Sequence, residues 1–91
     1  MLFAWMGFMR DGAEPIPQSV QHQTTDFLGQ PYIDIRHVGI LRDAEGGRAG
    51  MMMIFEVADR EAAEAFVADS PYHHAGLYRD HHLYEYQSEV G

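Results

Sequence analysis

The stretch ADREAAEAFVADSPYHHAGLY, residues 58–78, decides the fold of this chain. Asp59 is a good N-cap, because its carboxylate can accept hydrogen bonds from the free backbone N–H groups of a first helical turn. Behind it runs an apolar stripe of Ala62, Ala65 and Phe66. Pro71 stops this helix, since proline has no N–H to continue the ladder. We therefore expect an amphipathic helix after Asp59 and a last strand that begins at Tyr78.

The rest of the chain predicts three more strands and one more helix. The four expected strands are Leu2–Met9, Tyr32–Leu41, Gly50–Val57 and Tyr78–Gln87, and residues 43–47 form a turn between the second and third. A weak helix is expected to begin near Pro15 or Pro17, with Val20, Thr24 and Phe27 at helical spacing, and to end at Gly29 and Pro31. The order strand, helix, strand, strand, helix, strand predicts an α+β, ferredoxin-like fold. Its four-stranded antiparallel sheet carries both helices on one face, and residues 1–91 make one domain.

Alternation along two strands predicts which side chains share a face. His37 is in phase with Ile33 and Ile35, which favours a packed core or interface histidine. The last strand places Tyr78, His82, Tyr84 and Tyr86 on one face and Leu83 on the other. This second pattern predicts a sheet face rich in aromatic side chains.

Composition excludes several classes of function. The chain has no cysteine, and its six Lys and Arg residues are all arginine against fourteen acids, for a net charge of -8. Nucleic-acid binding needs a basic surface, and Schiff-base chemistry needs a lysine, so neither is expected. The apolar runs are too short to span a bilayer, and Met1–Met9 lacks the features of a signal peptide. We expect a cytoplasmic protein that binds neither membrane nor nucleic acid.

The motif Ser70-Pro71-Tyr72, followed by Ala75-Gly76-Leu77-Tyr78, resembles the signature of the YciI-like (YCII-related) family. In that family a similar helix ends in Asp-Pro-Tyr, and Ala-Gly precedes the last strand. The resemblance implies a ferredoxin-like chain that pairs sheet to sheet as a dimeric α+β barrel, with a cleft at its edge. Most members have no assigned activity, and the resemblance implies no cofactor.

The resemblance also implies a catalytic pair, formed by a histidine on the first helix and the aspartate before Pro-Tyr. His22 lies at about the right place for that histidine, but Ser70 replaces the aspartate. A serine hydroxyl cannot supply the negative charge that raises the basicity of an imidazole. Asp69, Asp26 four residues along the same helix, or Asp34 on the next strand could substitute. His22, Asp69, Ser70 and Asp34 are therefore the candidate catalytic residues.

Three further residues are candidates for ligand binding. Arg36 could hold a substrate carboxylate, while Tyr72 and Tyr78 could line the cleft. The pairs His73-His74 and His81-His82 suggest a metal site at first sight, but neighbours in a strand point to opposite faces, and no recognised ligand spacing is present. We expect these histidines on the surface or lining a cleft, and no metal.

Two functions from different classes remain open. One is a cofactor-free isomerase- or lyase-type enzyme, in which a histidine general base moves a proton on a small cyclic or aromatic acid. The other is a non-catalytic dimeric module that binds a metabolite or a protein and has lost the family's aspartate. Both are homodimers, because an uncovered sheet face bearing Met, Phe and Tyr would be a larger apolar patch than monomers usually show.

Overall fold

The structure is a computed structural model that describes residues 1–90 and confirms the predicted order of elements. The elements are β1 Leu2–Met9, α1 Gln18–Leu28, β2 Asp34–Arg42, β3 Arg48–Glu56, α2 Arg60–Ala68, α3 Pro71–His74 and β4 Tyr78–Glu85. The strands form one antiparallel sheet in the order β2-β3-β1-β4. This is the ferredoxin-like arrangement, with the one-turn helix α3 added between α2 and β4.

Helix α2 begins as its sequence predicts. The backbone N–H of Ala62 donates to the Asp59 carboxylate at 2.8 Å, which confirms the N-cap. The predicted stripe is partly wrong: Phe66 is buried, but Ala65 is exposed and Ala63 is buried instead. The helix ends at Ala68, so that Pro71 opens the following turn α3.

The core lies between the helices and one face of the sheet. Phe3 of β1 and Phe55 of β3 are fully buried there, with ring centroids 6.3 Å apart. Phe66 of α2 packs on Phe55 at 5.0 Å and stacks on Phe27 of α1 at 4.7 Å. Both long helices therefore cover the same side of the sheet. Burial of these aromatic rings against one another contributes much of the free energy that stabilises the fold.

A β-bulge at Arg36 reverses part of the predicted pattern in β2. Ile35 pairs with Phe55, but His37 pairs with Ile54, and Arg36 is left without a partner in the ladder. An extra residue on one strand turns every later side chain to the other face. The predicted phase of His37 with Ile35 is thus wrong, and His37 lies exposed on the side away from the helices.

A second register shift corrects the prediction for β4. His82 and Tyr84 pair with Met6 and Ala4 as a regular ladder, but the register shifts between Tyr78 and Asp80. Tyr78 therefore faces the helices, where its ring meets Trp5 edge-on at 5.2 Å. The expectation that Tyr78 shares a face with His82 and Tyr84 is wrong.

The sheet face opposite the helices, called here the open face, is largely apolar. It carries Leu2, Ala4, Met6, Phe8, Met52, Ile54, His82 and Tyr84. Several of these side chains are half-buried by their neighbours, whereas Tyr84 is 56% exposed. Within residues 1–90, no helix is long and apolar enough to cross a membrane.

Candidate functional site

A cavity of about 250 Å³ opens between α2, α3 and β4, and we call it the histidine cleft. Its apolar wall consists of Val67, Ala68 and Leu83, and its polar wall of Arg60, Glu64, His73 and His81. An apolar pocket with a few convergent polar groups is the usual form of a small-molecule site. Its volume suits a ligand of about one ring, since drug-sized sites run from about 300 Å³ upward.

Two imidazoles from different elements meet in this cleft. The single turn of α3 carries His73, and the pleat of β4 directs His81 towards the helices while His82 points to the open face. The rings of His73 and His81 lie edge to face, with centroids 5.2 Å apart and planes at 86°. Histidine is the side chain that most often serves as a general acid or base, so this pair has the groups that a proton transfer needs.

One side chain of each charge borders the same cleft. Within residues 1–90, neither Arg60 nor Glu64 forms an ion pair or a side-chain hydrogen bond. The Arg60 guanidinium lies over the Phe3 ring, 5.5 Å from its centroid. Its donors are consequently available to an oxyanion of a bound ligand, because stacking on a ring leaves the N–H edge of a guanidinium open.

His22 is exposed on α1, opposite the side that packs on the core. In the described part of the chain it makes no hydrogen bond or ion pair, with Asp26, Asp34, Asp69 or any other residue. The buried residue of α1 is Thr24, whose hydroxyl donates to the Val20 carbonyl at 2.8 Å. No acid among residues 1–90 orients the His22 ring. A catalytic role for His22 therefore remains a prediction.

Ser70 and Asp69 lie at the junction of α2 and α3. Ser70 is buried and precedes the first turn of α3, where its carbonyl accepts from the backbone N–H of His74 at 3.0 Å. Asp69 is exposed, and its backbone N–H donates to Phe66. Ser70 thus holds α3, which carries His73, by a backbone contact, whereas Asp69 caps the end of α2.

Asp34 and Arg36 form an ion pair with each other. Arg36 Nε donates to Asp34 at 2.8 Å and Nη2 to Glu56 at 2.6 Å, on the open-face side of β2. The hydrogen bond and charge of Asp34, and then the charge of Glu56, raise the pKa of Arg36. A substrate carboxylate would have to compete with two carboxylates already in place.

Tyr72 and Tyr78 pack against each other, with ring centroids 6.2 Å apart. Tyr72 is 5% exposed, and the guanidinium of Arg48 lies 5.2 Å above its ring. Burial raises the pKa of the Tyr78 hydroxyl, the neighbouring Tyr72 raises it further, and Arg48 opposes both. Tyr78 therefore remains a neutral phenol over the whole physiological range.

No group of three or more His, Cys, Asp or Glu side chains in residues 1–90 is arranged to hold a metal ion. The sequence predicted that the two histidine pairs lie on the surface or line a cleft, and His73 and His81 line the cavity described above. Sequence reasoning did not single out Arg60 and Glu64, although their spacing of four on α2 was the available signal.

No protein-family model and no curated protein sequence matches this chain. Several solved structures, in contrast, have a fold similar to that of this chain. The dehydrochlorinase TftG of Burkholderia phenoliruptrix AC1100, which acts on 5-chloro-2-hydroxyhydroquinone and was solved with 2,5-dihydroxybenzoquinone, superposes with a TM-score of 0.81. The two chains are 19% identical over 96% of this chain and 94% of TftG.

Two more distant structures share the fold. SnoaB, a cofactor-independent oxygenase from Streptomyces nogalater, has a TM-score of 0.57 and 18% identity over 98% of this chain and 94% of its own. Rv0793 of Mycobacterium tuberculosis has a TM-score of 0.57 and 12% identity over 99% and 97%. At these identities the likeness shows the fold alone, which is the ferredoxin-like α+β fold with a four-stranded antiparallel sheet.

Proposed function

We propose that this protein is a cofactor-free isomerase- or lyase-type enzyme that moves a proton on a small cyclic or aromatic acid. The observation that carries the proposal is the contact of His73 and His81 at the mouth of a ring-sized apolar cleft. The likeness of its fold to TftG, a dehydrochlorinase, and to SnoaB, a cofactor-independent oxygenase, supports the proposal.

The residues of the cleft suit three tasks. Arg60 would bind the carboxylate or phenolate oxygen of the ligand, and Val67 with Leu83 would pack on its ring. One imidazole of the pair would take the proton from a ring hydroxyl or ring carbon. In an elimination, the leaving group then departs with the electron pair of its bond to carbon, and the proton and leaving group together make up the acid released.

The first experiment is turnover of chlorinated hydroxyhydroquinones and small aromatic acids, followed by chloride release and ultraviolet absorbance. His81→Asn and His73→Asn should each lower the rate by about 10²- to 10⁴-fold, the usual contribution of a general base. His74→Asn and His82→Asn are matched controls, because each replaces the neighbouring histidine outside the cleft. His22→Asn tests the family-derived prediction in the same assay.

The outcomes separate the histidines cleanly. Loss of activity with His73→Asn or His81→Asn, and not with the controls, would establish the cleft. Loss with His22→Asn alone would move the base to α1 and contradict the proposal. Equal activity in all five variants would show that no histidine acts as the base.

A non-catalytic binding module is the second candidate. The observation that favours it is His22, which stands in solvent without an acid, together with Ser70 in place of the family's aspartate. Binding of an aromatic acid with no turnover, abolished by Arg60→Gln, would select this function.

We also propose that the protein is a member of the YciI-like family and that it is located in the cytoplasm.

We also propose a homodimer through the open face. A 91-residue chain buries only about 60–65% of its unfolded surface, so a second copy over an apolar sheet face would add stability that one chain lacks.

Sedimentation at micromolar concentration should give twice the chain mass of 10.4 kDa. Met52→Glu, in the middle of the open face, should dissociate the dimer. Ile40→Glu is the control, since Ile40 is exposed on the other face of β2. A one-chain mass for the unaltered protein would contradict the dimer.

A further inference from the structure

A second cavity, of about 400 Å³, lies at the end of the sheet where β1 leaves and β3 and β4 begin. We call it the arginine cavity, because Arg10, Arg48 and Arg79 line it. These are half of the six cations in a chain that has no lysine and a net charge of -8. It shares no lining residue with the histidine cleft. Its volume lies in the range of small-ligand sites, about 300–1,000 Å³.

Arg48 is held in place by an aromatic ring instead of a carboxylate. Its guanidinium lies 5.2 Å above the ring of buried Tyr72, and its Nη2 is 3.4 Å from the Tyr72 hydroxyl. Its Nε is buried and has no hydrogen-bond partner within residues 1–90. No acid of the described chain lies within ion-pair distance of Arg48 or Arg10. Stacking fixes the plane of the guanidinium, and its Nη1, which is not buried and makes no hydrogen bond within residues 1–90, is available to donate to a carboxylate.

Carboxylates line the same cavity without neutralising these arginines. Asp43 is committed to its own turn, where it accepts from the backbone N–H groups of Glu45 at 3.0 Å and Gly47 at 2.7 Å. Asp11 and Glu14 are exposed, and their side chains make no hydrogen bond or ion pair in the described chain. Arg79 is paired with Asp80 at 3.4 Å, but Arg10 and Arg48 form no ion pair in the described chain. The cavity therefore presents both signs of charge, and the carboxylates of its lining do not contact these two arginines.

We infer that the arginine cavity binds a small zwitterion, an α-amino acid with an apolar side chain. Arg48 would take the carboxylate, and Glu14 with Asp11 the ammonium group. Met9 and Ala13 supply apolar lining on the side of the sheet where Arg48 lies. A plain anion would be opposed by the two free acids and a plain cation by the arginines, so a ligand with both charges has the better electrostatic match.

The test uses three probes that differ only in charge: L-phenylalanine, 3-phenylpropionate and phenethylamine. Titration calorimetry, with amide chemical shifts at Gly12 and Ala49 to locate binding, should show phenylalanine bound at least about tenfold more tightly than either analogue. Arg48→Gln should weaken phenylalanine binding by about tenfold or more. Arg42→Gln is the control, since Arg42 lies on the same hairpin but outside the cavity.

A second variant keeps the inference testable if Arg48→Gln unfolds. Glu14→Gln should bring phenylalanine and 3-phenylpropionate to the same affinity, because the ammonium group loses its partner. Equal binding of 3-phenylpropionate to the unaltered protein would show a plain anion site and overturn the inference. So would equal binding of phenethylamine, or no binding of any probe up to about 10 mM. None of these results depends on turnover in the histidine cleft.

Discussion

Gly50 should tolerate no side chain, and its replacement by alanine should be one of the most destabilising small changes in the sheet. Gly50 is buried on β3, opposite Phe8 of β1. A Cβ atom there would overlap the Gly7 carbonyl oxygen and lie 3.1 Å from the Gly7 carbonyl carbon and 3.2 Å from Phe8 Cα. All three atoms are backbone of the neighbouring strand, so no rotamer change can relieve the contact.

The expected cost follows from what must move. Overpacking of a well-packed site costs about 1–3 kcal/mol, and separating β1 from β3 also weakens at least one ladder hydrogen bond worth about 1 kcal/mol. We expect Gly50→Ala to lower the free energy of unfolding by about 3 kcal/mol, out of a typical total of about 5–15 kcal/mol. Gly39→Ala, on β2, is the control. Nothing lies within 4 Å of the methyl group that this alanine would add, so it should change stability by less than about 1 kcal/mol.

Urea unfolding followed by fluorescence of the single tryptophan, Trp5, measures both variants. The protein concentration must be held constant, because dimer formation would make stability depend on it. If Gly50→Ala and Gly39→Ala unfold at the same urea concentration as the unaltered protein, the close approach of β1 and β3 at Gly50 is not as described. The same result would also remove the structural reason for a glycine beside the arginine cavity.

Two further predictions concern a helix cap and a buried phenol. Asp59→Ala removes the acceptor for the Ala62 N–H and should cost about 1 kcal/mol, whereas Asp69→Ala, at an exposed position, should be near neutral in the same urea assay. Because the folded-state pKa of Tyr78 is raised, its stabilising effect is complete below the unfolded pKa of about 10 and is lost as pH rises above it, at up to about 1.4 kcal/mol per pH unit. Tyr78→Phe should remove that alkaline loss and exposed Tyr84→Phe should not, so an unchanged alkaline profile in Tyr78→Phe would contradict the buried phenol.

Local patterns in this chain predicted the elements well, because a cap, a turn or a helical period is a property of a few adjacent residues. Asp59 satisfies the first turn of α2 wherever that helix packs, and Pro17 and Pro71 open or close helices through their missing N–H groups. The order of these elements then leaves few topologies, and the ferredoxin-like sheet is the one the structure has.

Side-chain faces and partners were less predictable. The shift at Arg36 moved His37 to the open face, and the shift between Tyr78 and Asp80 placed the Tyr78 ring against Trp5. Neither bulge contains a glycine or proline from which it could be predicted, since a bulge depends on how the two strands fit together. His22 matched a family position by its place in the sequence, yet α1 rotates it into solvent because Thr24 and Phe27 take the inner side.

The sequence by itself determined the secondary structure, the antiparallel sheet and the exclusion of thiol and lysine chemistry, since these depend on composition and on neighbours along the chain. Only the tertiary structure brought His73 to His81 and Arg48 to Tyr72. Those contacts join residues 8 and 24 positions apart on different elements, and their geometry follows from how α3 and β3 pack against β4 and the core. Packing between distant segments, and not any local pattern, decides which charged and aromatic groups meet.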